Sequence, residues 1–192
     1  MGLWAKIVSF MHRFNFQDMK SNENLPDFIT SYFQFEGNQY KLTAVPEMLP
    51  SGMGLDFTGN FIGILIISDN GTMTFERDQH PDKVWVCDKL PLENAPADFS
   101  YNFSFKNFEY NGDQYKVVLT HELGSWEGDD GLEFTGCFEG ILVSETTGTV
   151  AFQLMPDEKR GWECETGEQP FESGINQKIG EIANEIRQNQ FA

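Results

Sequence analysis

The sequence predicts a β-rich α+β protein: two tandem four-stranded antiparallel meander repeats, flanked by an N-terminal and a C-terminal amphipathic helix. Three observations carry that prediction. Leu-Asp-Phe-Thr-Gly-Asn-Phe-Ile-Gly-Ile-Leu at residues 55–65 recurs as Leu-Glu-Phe-Thr-Gly-Cys-Phe-Glu-Gly-Ile-Leu at residues 132–142. Around both copies, apolar and polar residues alternate with period two between turn residues, the pattern of half-buried strands. Apolar residues recur at helical spacing near the two ends of the chain.

The N-terminal helix is expected within residues 1–20, where Leu3, Trp4, Ile7, Val8, Met11 and Phe14 fall on one face. Such a face packs on a sheet of the same chain or on a second subunit, which makes a homo-oligomer through this helix an open alternative. The first β repeat spans residues 30–88. In it Phe33 and Phe35, a turn at Glu36-Gly37-Asn38, and then Tyr40, Leu42 and Ala44 read as a hairpin. A long strand follows over Leu55–Ile67, with Gly59 and Gly63 marking bends or bulges, and Asp69-Asn70-Gly71 turns into a strand with Met73 and Phe75.

Residues 89–101 hold two prolines and read as a linker. The second β repeat, residues 102–165, has the stronger Asn111-Gly112 hairpin signal and repeats the long strand and the Gly148 turn. The offset is 77 from Leu55/Leu132 through Cys87/Cys164, with 13 identities in 33 aligned pairs, where unrelated sequences give about two. Upstream, Gly37/Gly112 and Tyr40/Tyr115 match at an offset of 75, which places two extra residues in the acidic loop Glu127–Asp130. The repeats either merge into one curved sheet or barrel or stay as two lobes. The C-terminal helix is expected over residues 172–190, with Ser173 as its cap and Ile175, Ile179, Ile182 and Ile186 on a sheet face.

Composition limits the function classes. The 192 residues carry 13 Lys and Arg against 30 Asp and Glu, a net charge of −17 that repels nucleic acid and anionic lipid. Residues 1–96 contribute −5 and residues 97–192 contribute −12, so the acidity lies mainly in the second repeat. No apolar run reaches the ~20 residues of a membrane span. The first 14 residues carry Lys6 inside their apolar part and no small-residue cleavage site, unlike a secretory signal, so a cytoplasmic location is expected. Cys87, Cys137 and Cys164 are an odd number and read as reduced thiols.

Chemical signatures are sparse. Trp85-x-Cys87 and Trp162-x-Cys164 put Trp and Cys on one face of a strand, which reads as core packing rather than as a metal or redox pair. The histidines do not match across the repeats: His80 aligns with Asp157 and His121 with Pro46, so a histidine site would be asymmetric. There is no paired Cys and His spacing for zinc, no phosphate-binding glycine loop and no nucleophile elbow, and neither metal nor cofactor is expected.

Glu127, Asp129, Asp130 and Glu133 crowd the second repeat where the first has Ser51, Gly52, Met53, Gly54 and Asp56. Their spacing is not that of a calcium loop. The first functional expectation is therefore an acidic interaction protein, of the general immunity- or inhibitor-like type, engaging a basic protein partner through these four residues. The second is a small-molecule binder with an apolar pocket lined by Phe, Trp85 and Trp162. The third is an acid-base enzyme using the carboxylate cluster, with Glu133 essential; enzymatic activity is the less favoured class.

Overall fold

The computed structural model describes residues 25–35, 38–52, 54–67, 71–77, 103–124, 133–159, 161–167 and 170–190. Among them run β1 (Ile29–Phe35), β2 (Asn38–Ser51), β3 (Gly54–Ile67), β4 (Gly71–Arg77), β5 (Ser104–Tyr110), β6 (Asp113–Gly124), β7 (Glu133–Ser144), β8 (Gly148–Asp157), β9 (Gly161–Thr166) and the helix α1 (Ser173–Gln190). Strands β1 to β4 form one antiparallel sheet in chain order, and β5 to β9 form a second. Among the described residues there is no closed barrel and no merged sheet. The expected N-terminal helix and the 89–101 linker lie outside the described residues.

The second sheet has a fifth strand beyond the four expected. Strand β9 pairs with β8 from Phe152↔Thr166 to Asp157↔Gly161. It forms because Trp162 and Cys164 must reach the core on alternate positions, and an edge strand beside β8 delivers both to one face.

The registers of the two sheets correspond. Strand β2 pairs with β3 from Tyr40↔Ile67 to Pro46↔Phe61, slips at a bulge, and resumes at Met48↔Phe57. Strand β6 pairs with β7 from Tyr115↔Ser144 to His121↔Phe138, slips, and resumes at Leu123↔Phe134. Each of these pairs holds the same place relative to the bulge in its own sheet. The β5–β6 hairpin closes at Tyr110↔Asp113 through Asn111 and Gly112, with φ of 54° and 90°. Two positive φ angles make this a primed turn, which Asn-Gly adopts at least cost and whose twist matches the flanking strands.

The centre of the second sheet is buried on both faces, which explains why its central strands read as continuous apolar runs. Tyr115, Val117, Leu119, Phe138, Leu142, Phe152, Leu154, Trp162 and Cys164 face α1 and pack on Ile175, Ile179, Ile182 and Ala183. Their neighbours Val118, Ile141 and Val143 point the other way and meet Val45, Ile62, Ile64 and Ile66 of the first sheet. The result is three layers: sheet, sheet, helix. Each fully buried Ile, Leu or Val contributes about 1.5–3 kcal/mol, so these two apolar layers hold the fold.

Helix α1 presents the predicted isoleucine stripe, but its cap differs from expectation. The N–H groups of Ile175 and Asn176 donate to the Glu172 carbonyl at 3.0 and 3.1 Å, which makes Glu172 the N-cap and places Ser173 inside the first turn. Gly174 lies against the Tyr110 ring, where a Cβ would sit 2.3 Å from Cε2.

The two sheets also lock together through polar contacts at their bulges. The Thr72 hydroxyl donates to the His121 carbonyl at 2.8 Å and accepts from the Leu123 N–H at 3.3 Å. The Thr149 hydroxyl donates to the Pro46 carbonyl at 2.8 Å and accepts from the Met48 N–H at 3.1 Å. Each bulge leaves a carbonyl and an N–H without a ladder partner, and a threonine from the opposite sheet satisfies both.

Candidate functional site

A polar cluster is built around the bulge of β6. Glu122 occupies the bulge, and its Oε2 accepts from the Thr135 hydroxyl on β7 at 2.5 Å. Its Oε1 accepts from the Gln153 side-chain amide on β8 at 2.7 Å. The Thr135 hydroxyl in turn accepts from the Cys137 N–H at 3.2 Å. Burial, and then the Glu122 charge, push the Cys137 thiol above its ordinary range, so it stays protonated and is a poor nucleophile at neutral pH.

The same brace recurs in the first sheet. Glu47 at the β2 bulge accepts from the Thr58 hydroxyl at 2.5 Å and from the Asn60 amide at 2.9 Å, and the Asn60 N–H donates to Thr58 at 3.1 Å. A carboxylate held by two donors at a strand bulge in both sheets is a scaffold element, and it ties Thr-Gly of the sequence motif to the strand beside it. The motif is thereby accounted for by folding.

A line of polar and acidic residues crosses the second sheet. Cross-strand pairing aligns Thr120, Glu139, Gln153 and Glu165 on β6 to β9, on the side of the second sheet that faces the first. Glu163 lies on the same side of β9 opposite Met155, because Trp162 and Cys164 take the alternate positions into the core. Glu122 reaches the row through Gln153. Glu139 stands where the first sheet has the buried Ile62. Elsewhere among the described residues, Lys106 pairs with Glu185 at 2.9 Å, Lys116 with Asp27 at 2.6 Å and Lys178 with Glu181 at 3.1 Å.

Of the four acidic residues singled out from sequence, Glu133 is described. It is exposed at the start of β7, paired with Gly124. Glu127, Asp129 and Asp130 lie outside the described residues, as does Trp85. Trp162 is 7% exposed beneath α1, with its indole N–H donating to Asn184 at 3.0 Å, the Phe138 ring 5.5 Å away and the Arg187 guanidinium over its face. Cys164 is buried beside it, and its thiol is pushed up to about 12 by burial and by the Glu163 charge. Trp-x-Cys is thus a core pair in this strand. Glu139, Glu163 and Glu165 were missed from sequence, although the outward alternates of an inward Trp-x-Cys pair could have pointed to the last two.

His121 is 1% exposed, edge-on to Phe134 at 4.6 Å and beside Phe138 at 4.8 Å. Burial, assisted by the Arg187 charge, lowers its pKa to about 4, so at neutral pH it is an uncharged core residue. Among the described residues no three His, Cys, Asp or Glu side chains are arranged to hold a metal ion. Among them, too, no helix is long and apolar enough to cross a membrane. No family model, no curated protein and no solved structure matches this chain.

Proposed function

We propose that this chain is a cytoplasmic protein-interaction module of the immunity- or inhibitor-like type, which binds a basic protein through an acidic face of its second half. The carrying observation is the line of Glu139, Gln153 and Glu165, half-buried at its centre and exposed at the β9 edge of the sheet, flanked by Glu122 and Glu163, in a half that already holds most of the net charge. Folding does not require a carboxylate at Glu139, since the first sheet has Ile62 in the corresponding position. The acidic residues Glu127, Asp129, Asp130 and Glu133 are proposed to contribute to the same partner recognition. Such a field steers a cationic partner and sets its orientation.

The test is capture of partners from the source lysate by the tagged protein, washed at rising salt, with a Glu139→Gln, Glu163→Gln, Glu165→Gln variant beside it. Each rim charge pair is worth about 0.2–1 kcal/mol, so the triple variant loses up to roughly a hundredfold in affinity and shows a flatter salt dependence. Capture of the same basic protein by both forms with equal salt dependence overturns the reading.

The scaffold beneath this face is a tandem duplication with bounds of 30–88 and 102–165. The matching registers and the matching Glu-Thr braces support it. The N-terminal segment bearing Leu3, Ile7 and Met11 is the proposed cover for the outer face of the first sheet, where Leu42, Phe61 and Leu65 are buried on the side away from the second sheet. Cross-linking from a photoreactive residue at position 7 tests this: adducts on β2 and β3 support it, and adducts on α1 refute it.

A further inference from the structure

We propose that the face by which the two halves meet is self-complementary, so that either half fits a second copy of itself as it fits its partner half. The inference rests on the duplication proposed above. Its ground is that the contacts between the sheets run in both directions. Thr72 plugs the bulge at His121 and Leu123. Thr149, its counterpart in the second repeat, plugs the bulge at Pro46 and Met48, which are the counterparts of His121 and Leu123 in the first.

The backbone approaches repeat in the same way. A Cβ at Gly71 would lie 2.1 Å from the Leu123 carbonyl oxygen, and a Cβ at Gly148 would lie 2.1 Å from the Met48 carbonyl oxygen. Both glycines have positive φ, 96° and 71°, so both the turn and the contact demand glycine. The arms that lead into the sheets also cross. Lys116 of the second half donates to the Leu25 carbonyl at 2.8 Å and pairs with Asp27 at 2.6 Å, while Lys41 of the first half sits 5.2 Å from the ring centroid of Phe103.

Two unrelated domains packed face to face have no reason to repeat contacts in reverse. An isologous dimer must, because residue i of one subunit meets residue j of the other and the reverse. The apolar layer follows suit, with Ile64 and Ile141, and Ile66 and Val143, at matched positions. The partner that fits this face is therefore a second copy of the half itself. The first half is the better self-partner in its apolar layer, since it carries Ile62 where the second has Glu139.

The experiment uses the full chain with a specific protease site inserted between Leu92 and Glu93. The folded protein is cleaved, mixed with an isotope-labelled cleaved copy, taken through mild denaturant and back, and read by native mass spectrometry. The expected result is retained pairs of unlike halves, exchange of label between them, and a new species at twice the mass of the first half. In a cleaved Gly71→Val variant, both the unlike pairs and the pairs of first halves are lost. Unlike pairs without any like pair overturn the proposal while leaving the acidic-face reading and the duplication untouched. Halves that part and unfold on cleavage overturn it as well.

Discussion

Replacing Thr43 by Val stabilises this protein. Thr43 lies on β2, paired with Ile64, and is fully buried. Its Oγ1 has no hydrogen-bond partner among the described residues. A buried hydroxyl that forfeits its water without gaining a partner costs about 1–3 kcal/mol, and Val offers nearly the same shape without that cost. At the matching register position of the second sheet stands Val118, paired with Ile141 and equally buried, so that sheet already holds the substituted state. The expected gain is about 1–2 kcal/mol, or a Tm increase of roughly 2–8 °C for a chain of this size. Urea denaturation reads it as a higher midpoint at unchanged slope, and scanning calorimetry gives the Tm. The reverse substitution, Val118→Thr, loses a similar amount. A Thr43→Val protein less stable than the parent by about 1 kcal/mol or more would falsify the reasoning, because the hydroxyl would then be making a bond worth more than its burial costs.

Two further perturbations probe the interlock and the core. Thr72→Val and Thr149→Val each strand a bulge carbonyl and a bulge N–H, and each is expected to lower stability by about 1–3 kcal/mol in denaturant titrations; a loss under about half a kcal/mol at both sites counts against reciprocal plugging. His121 is held neutral in the fold with a pKa of about 4 against 6.5 when unfolded, so the unfolded chain takes up the proton first as pH falls. Stability is then full above pH 6.5, declines through the window between 6.5 and 4, and is about 3 kcal/mol lower below it. His121→Leu removes that part of the pH dependence. Parallel stability curves for parent and variant between pH 7 and 4 would show that the histidine does not titrate in this way.

Much of the fold is legible in single segments of sequence. The Asn111-Gly112 turn, the isoleucine stripe of α1 and the shared face of Trp162 and Cys164 each follow from residues within a few positions of one another, and local period decides them. Segment patterns do not say how segments stack. Neighbouring residues such as Val117 and Val118 are equally apolar, and only packing sends one to the helix and the other to the opposite sheet.

The candidate site divides in the same way. Glu133 could be singled out because it sits in a local acidic run. Glu139, Gln153 and Glu165 are scattered through the sequence, and cross-strand register alone makes them neighbours. The choice of Glu172 over Ser173 as the cap of α1 is likewise visible only in the backbone hydrogen bonds of the folded helix. By itself the sequence determined period, turn chemistry and the balance of charge, because these depend on covalent neighbours. The union of two sheets through threonines seated in each other's bulges, and the carboxylate row on one of them, required the tertiary structure, because only close packing brings distant backbone groups to hydrogen-bonding distance.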